Sequence, residues 1–96
     1  MSVLKLIVID LVNADINKFE LYEKRVLPLL KQYGARLELC VRSLDNTTET
    51  HILYFPSTDA FDNFLADPVR ATLQDEWKLV GAVPTVTDVG EIRYLE

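Results

Sequence analysis

Hydrophobic and polar side chains follow two periods along this chain, one typical of strands and one typical of helices. Residues 3–11 (VLKLIVIDL) carry aliphatic side chains on both alternating faces, which predicts a central strand that is covered on both sides. Residues 35–42 alternate between apolar and polar side chains, which predicts a half-buried strand nearer a sheet edge. A third strand, apolar on both faces, is predicted from His51 to Phe55, and Pro56 ends it because proline cannot donate to a strand ladder.

The segment between the first two strands has helical spacing. Asn17 and Glu20 match a capping box, in which two side chains satisfy free backbone donors at the start of a helix. Pro28 lies within the pattern and should kink the helix or remove a hydrogen bond, and Gly34 is suited to end it in a left-handed conformation. The apolar positions of this predicted helix are Phe19, Tyr22, Val26, Leu29, Leu30 and Tyr33.

The segment after Pro56 predicts further helix. Ser57 is a natural N-cap for TDAFDNFLA, whose apolar side chains recur at helical spacing. The Asp67-Pro68 pair predicts a second helical start, because aspartate favours the cap and proline the first helical position. Trp77 falls on the weakly apolar face of this second helical stretch.

The remaining chain completes a β-α-β-β-α-β order. Gly81 and Pro84 indicate a loop, and residues 85–96 predict a last strand with a bulge near Gly90. This order defines the split βαβ, or ferredoxin-like, α+β fold: a four-stranded antiparallel sheet whose first and third strands are central. Right-handed crossovers place both helical segments on one face of the sheet.

The other sheet face would then carry uncovered aliphatic side chains from the two central strands. Hydrophobic residues make up 49% of the chain, which is high for a chain of 96 residues, so a partner surface is expected to cover some of them. A second copy packed through the same face is the simplest solution, and a two-fold homodimer is predicted. A ligand or a different protein could also cover this face.

Length, charge and hydropathy narrow the possible partners. Residues 1–96 are expected to form a single domain. The net charge is −5 without a basic stripe, which disfavours nucleic acid as a partner. No stretch approaches a membrane span, and Lys5 and Asp10 interrupt the amino-terminal apolar run, which disfavours a signal peptide. We therefore expect no membrane partner and a cytoplasmic location.

Cysteine, histidine and glycine usage narrows the chemistry. Cys40 is the only cysteine, which excludes an intrachain disulfide, and with a single histidine no metal site is predicted. The sequence has no glycine-rich phosphate loop, no G-x-S-x-G elbow and no Cys-His pairing for nucleophilic catalysis. No cofactor is predicted either.

Two stretches resemble a family of small bacterial proteins of unknown function, the DUF1330-type group of the dimeric α/β-barrel superfamily. They are YEKRVLPLLKQYGARL at 22–37 and HILYFPSTDAFDNFLADP at 51–68, about half of the chain. The resemblance implies a homodimer that packs sheet to sheet, with a pocket between each sheet and its helices. The superfamily includes cofactor-independent monooxygenases, isomerase-like enzymes and haem-degrading enzymes as well as proteins of unknown activity, so the shared fold does not define the function.

His51 is the candidate catalytic residue, because imidazole can exchange a proton near neutral pH. A structural histidine at a strand end is the alternative. Aromatic side chains that could orient an apolar ligand are Tyr22, Tyr33, Tyr54 and Trp77, although such rings also fill cores. Two functions follow: binding of a small hydrophobic or aromatic molecule, or cofactor-independent oxygenation or isomerisation with His51 as general base.

Overall fold

A computed structural model describes residues 1–94 and confirms the predicted element order. The chain forms β1 (Val3–Asp10), α1 (Ile16–Val26), a 3₁₀ helix (Leu27–Tyr33), β2 (Arg36–Arg42), β3 (Thr48–Phe55), α2 (Thr58–Leu65), α3 (Pro68–Thr72), α4 (Gln74–Val80) and β4 (Val83–Val89). The sheet order is β2-β3-β1-β4 with antiparallel pairing throughout. The first and third strands are therefore central, as the ferredoxin-like pattern requires.

The first helix begins two residues earlier than predicted. Asp15, not Asn17, is the N-cap: its Oδ1 accepts a hydrogen bond from the Lys18 backbone N–H at 3.1 Å. Pro28 does not kink an α-helix; the helix changes to 3₁₀ geometry at Leu27, and proline occupies the first turn, where its missing N–H costs little. Gly34 ends this segment at φ +67°, as predicted.

The second helical region is divided into three short helices. The Ser57 side chain accepts from the Ala60 backbone N–H at 3.0 Å and caps α2, as predicted. Asp67 Oδ1 accepts from the Val69 backbone N–H at 2.8 Å and starts α3. Gly81 then ends α4 in the left-handed region.

The last strand differs from the prediction at both ends. Pro84 lies within β4 and not in a loop; β4 is an edge strand, where a missing donor is tolerated. The strand ends at Val89, so the bulge predicted near Gly90 is wrong, and residues 90–94 belong to no strand. The predicted strand also included residues 95 and 96, which lie outside the described residues.

A register shift in β2 changes which side chains share a face. Leu37 pairs with Leu53 and Leu39 with Ile52, so Glu38 is the extra residue of an irregularity between them. Because one added residue reverses the alternation, Leu37 faces the helices whereas Leu39 faces the other side. The regular alternation predicted for residues 35–42 is therefore interrupted, and Leu37 does not share a face with Leu39 and Val41.

The two sheet faces differ in cover. The helix face carries the buried residues of β3 and packs against the helices, and Phe19, Phe55, Leu73 and Val80 are the largest fully buried side chains. We call the opposite surface the open face. It is mainly apolar and partly or largely exposed, and its apolar members are Leu4, Leu6, Val8, Leu39, Val41, Ile52, Tyr54, Val83 and Val89.

No helix within residues 1–94 is long and apolar enough to cross a membrane.

Candidate functional site

A cavity of about 440 Å³ lies between the helix face of the sheet and the helices. Its floor is formed by apolar side chains of β1, β3 and β4, and its walls come from all four α-helices. The floor residues are Ile7, Ile9, Leu53, Pro84 and Val86. A cavity of this size falls within the range that accommodates small organic ligands.

Aromatic rings form much of the wall. Tyr22 of α1 and Trp77 of α4 have ring centroids 4.7 Å apart, and Phe61 and Phe64 of α2 complete the aromatic lining. Phe61 and Phe64 are themselves supported from below by Phe55, at centroid distances of 5.1 and 5.6 Å. Burial raises the pKa of Tyr22, so its phenol stays protonated at neutral pH.

His51 is the only histidine, and it is buried on β3 with its ring at the cavity. Its Nε2 lies 2.6 Å from Glu49 Oε2, because alternate residues of one strand share a face. When Glu49 is ionised, Nε2 donates to it, and a neutral imidazole then carries its lone pair on Nδ1. The pair has the arrangement of a base with an orienting carboxylate.

Glu49 is held from its other side by Arg42. Arg42 Nε donates to Glu49 Oε1 at 2.8 Å, and its Nη2 donates to Glu20 Oε2 at 3.3 Å. Both Glu49 oxygens are therefore bonded, and the network runs from His51 to the surface of α1. This network fixes the orientation of the imidazole.

Cys40 lies beside this network. It pairs with His51 across β2 and β3, and the donor atoms of Cys40, Glu49 and His51 lie within 4.8 Å of one another. This grouping could hold a metal ion, but the cross-strand pairing of Cys40 with His51 and the hydrogen bond between His51 and Glu49 already explain why these side chains are close. Burial, then the nearby carboxylates, raises the pKa of the thiol and keeps it protonated.

Three further charged groups line the cavity: Glu23, Arg70 and Lys78. Glu23 of α1 is half-buried, and desolvation by burial, followed by repulsion from Glu49, raises the pKa of its carboxyl to about 7 despite the opposing effect of Arg70. Arg70 of α3 lies with its guanidinium carbon 4.8 Å from the centroid of Phe64. A carboxyl group and a guanidinium that interact electrostatically thus line the same, mainly apolar cavity.

The structure places three of the five residues singled out from the sequence at this cavity: His51, Tyr22 and Trp77. Tyr33 lies outside it and donates a hydrogen bond to Asp67, and its ring packs edge-on to Phe64. Tyr54 lies on the open face, where the Arg36 guanidinium carbon is 3.9 Å from its ring centroid. The four aromatic residues therefore do not line one pocket.

Sequence reasoning missed Glu49, Glu23 and Arg70. The predicted third strand begins at His51, whereas β3 begins at Thr48 and includes Glu49. A strand predicted from Thr48 would have placed Glu49 and His51 on one face, because they are two residues apart. Glu23 and Arg70 belong to different helices, and no local pattern places their side chains at the same cavity. Their proximity depends on how α1 and α3 pack.

No family model matches the sequence, and no curated protein matches it. Solved structures do share the fold. SnoaB, a cofactor-independent oxygenase from Streptomyces nogalater, superposes with a TM-score of 0.78 at 15% identity over 98% of this chain and 96% of that chain. Protein Atu4242 from Agrobacterium tumefaciens has a TM-score of 0.74 at 18% identity over 98% and 96%.

A third solved structure is a monooxygenase from the gene ActVA-Orf6 of Streptomyces coelicolor, in complex with nanaomycin D. It has a TM-score of 0.67 at 20% identity over 98% of this chain and 91% of that chain. These similarities show that the chain has the ferredoxin-like fold. At such identities, the chemistry must be argued from the site itself.

Proposed function

We propose that this protein binds a small, largely aromatic molecule in the cavity between its sheet and helices, and that it does so as a homodimer. The observation that carries the proposal is the aromatic lining of a cavity of about 440 Å³, with Tyr22, Phe61, Phe64 and Trp77 around it. Aromatic and aliphatic walls with a few polar groups are typical of small-molecule sites. Tyr33 and Tyr54 are not included in this site.

The homodimer is supported by the open face. Val8, Leu39, Val41 and Val83 expose between 39% and 61% of their surface there, and burying such side chains against a second copy is favourable. The finer resemblance to the DUF1330-type family and a cytoplasmic location stay predictions.

Fluorescence of Trp77 tests cavity binding, because it is the only tryptophan in the chain and it lines the cavity. We expect compounds with one to three aromatic rings to change its emission saturably. Val86→Phe places a ring in the cavity and should weaken this binding at least about tenfold by occluding the site. Val83→Phe is the matched control, since it makes the same change on the same strand but on the open face.

Two results would contradict cavity binding. One is the absence of any saturable change in Trp77 emission across the compound panel. The other is equal loss of binding in the Val86→Phe and Val83→Phe variants when circular dichroism shows that both are folded, because that would place the ligand elsewhere.

A second candidate function is proton abstraction by His51, leading to oxygenation or isomerisation without a cofactor. The hydrogen bond between His51 and Glu49 favours it, because an oriented imidazole at an apolar cavity is suited to general-base catalysis. His51 Nδ1 would accept the proton, and Glu49 would stabilise the resulting imidazolium. The carbanion left on the substrate would then be reprotonated at another carbon, or would add to dioxygen and take the proton back from His51 to form a hydroperoxide. Loss of water from this hydroperoxide would leave the substrate carbon oxidised to a carbonyl.

Exchange of an acidic C–H into D₂O tests this second function without a known substrate. We expect the protein to accelerate deuterium uptake at the α-carbon of 2-tetralone above the buffer rate. His51→Gln should lower the acceleration by about 100-fold, the usual contribution of a general base. An unchanged rate in His51→Gln would remove the base role while leaving ligand binding untouched.

A further inference from the structure

Arg70 differs from the other arginines in its lack of an ionic partner. Within residues 1–94 its side chain forms no ion pair and no hydrogen bond, although it is half-buried at the cavity and lies over Phe64. Each of the others has a carboxylate: Arg25 pairs with Glu76, Arg36 with Glu38, Arg42 with Glu49 and Glu20, and Arg93 with Glu91. A half-buried guanidinium facing an aromatic cavity is an unused donor of up to five hydrogen bonds.

The other cations near the cavity, Lys5 and Lys78, already have carboxylate partners. Lys5 forms an ion pair with Asp88 while its amine lies 4.2 Å from the Phe61 centroid. Lys78 lies within 3.8 Å of Asp75 and is largely exposed. Arg70 is therefore the cation best placed to meet a bound molecule inside the cavity.

Glu23 and Asp67 both act electrostatically on Arg70, and of the two Glu23 lines the cavity, where it could oppose an anion at Arg70. The carboxyl of Glu23 forms no hydrogen bond or ion pair within residues 1–94, and it affects the Arg70 guanidinium without direct contact. Titratable or charged groups that face Glu23 are Tyr22 on its own helix, Cys40 on β2, Glu49 and His51 on β3, Arg70 on α3 and Lys78 on α4. Burial, and then repulsion from Glu49, favours the protonated form of Glu23. This form can donate a hydrogen bond to an anionic ligand.

We propose that the natural ligand is an aromatic anion of the carboxylate class, whose charged group is held by Arg70 and whose rings pack against Phe64 and Trp77. This inference rests on the proposed function and specifies its ligand. Arg70 offers the paired donors that match a carboxylate. Its guanidinium lies over the Phe64 ring, and the aromatic part of the ligand can stack on that same ring. Glu23 acts as a specificity-determining residue, because its carboxyl can donate a hydrogen bond to the anion only when it is protonated.

Calorimetric titration with a matched pair of probes tests the charge preference. At about pH 6 we expect 2-naphthoate to bind about tenfold more tightly than its neutral isostere 2-naphthamide, a ratio typical of one hydrogen bond to a charged group. Arg70→Gln should abolish this preference, so that the two probes bind about equally, and Arg70→Lys should retain part of it. Arg25→Gln is the control, because Arg25 lies outside the cavity and is paired with Glu76.

The pH dependence tests the role of Glu23 separately. The affinity for 2-naphthoate should fall as the pH rises through about 7, the pKa of Glu23, because the ionised carboxyl repels the anion. Glu23→Gln mimics the protonated form and should remove most of this dependence. The affinity for 2-naphthamide should change little over the same range.

The outcomes separate this inference from the proposed function. Equal binding of 2-naphthoate and 2-naphthamide, unaltered in Arg70→Gln, would overturn the anionic ligand while leaving aromatic binding in the cavity intact. Failure of both probes to bind would contradict the proposed function itself, and this inference with it.

Discussion

The hydroxyl group of Tyr33 donates a hydrogen bond to Asp67 Oδ2, and this contact shifts the pKa values of both groups. It is the largest cause of the raised pKa of Tyr33 and of the lowered pKa of Asp67. A lowered aspartate pKa stabilises the fold above the ordinary value of 3.8, and this stabilisation is lost as the pH falls through the folded value. The contact joins the 3₁₀ helix to the cap of α3.

We expect Tyr33→Phe to lower the free energy of unfolding at neutral pH, and we expect the difference from wild type to shrink as the pH falls below about 4, because protonated Asp67 no longer benefits from the phenol. Tyr54→Phe is the matched control, since Tyr54 lies on the open face without a hydrogen-bonded hydroxyl within residues 1–94. Urea unfolding at a series of pH values measures both. Parallel curves for Tyr33→Phe and wild type would contradict the linkage.

For single residues, the sequence predicts which face of the sheet a side chain occupies, because side chains alternate along a strand. The face shared by His51, Leu53 and Phe55 follows from a period of two, and the structure buries all three. The hydrogen bond between His51 and Glu49 obeys the same period, but Glu49 precedes the predicted strand, which begins at His51. The contacts of Arg42 and Arg70 join residues distant in sequence, so only the packed structure shows them.

At the scale of elements, Gly81 determines how α4 meets β4. It adopts φ +81°, and a Cβ atom there would lie 2.6 Å from the Asn13 backbone oxygen. We expect Gly81→Ala to lower the free energy of unfolding by about 1–3 kcal/mol, because both the left-handed backbone and the clash oppose it. Gly90→Ala is the control, since its Cβ would meet no atom within 4 Å.

Thermal or urea unfolding of the two glycine variants measures this difference. Equal stability of Gly81→Ala and Gly90→Ala would show that the turn after α4 relaxes freely and does not fix the start of β4.

The elements themselves were mostly predictable, because strand and helix periods differ and the order of elements limits the topology. The ends of the helices and strands, and the irregularity in β2, were less predictable. The choice of Asp15 over Asn17 as cap depends on where the chain leaves β1, and the extra residue at Glu38 is visible only through its pairing with β3. Local sequence does not specify either of these.

At the scale of the whole molecule, the open face predicts a dimer. We expect wild-type protein to have twice the mass of the chain in native mass spectrometry. Leu6→Asp places a charge at the centre of the open face and should yield monomers, because an unpaired buried carboxylate is costly. Leu21→Asp is the control, since Leu21 is 63% exposed on α1, away from the sheet.

A monomeric wild-type protein, or loss of the dimer in both leucine variants, would contradict packing through the open face. The cavity lies on the other side of the sheet, so its ligand binding is a separate question.

The position of a bound aromatic molecule is the most direct test of the cavity as the functional site. We would record indole and methyl NMR spectra of the ¹⁵N,¹³C-labelled protein during titration with 2-naphthoate. The cavity account predicts shifts of the single indole signal of Trp77 and of the methyl signals of Leu53 and Val86, with the methyl signals of Leu6 and Ile52, whose side chains lie on the open face, least affected. Shifts confined to the open face, or none at all, would contradict it.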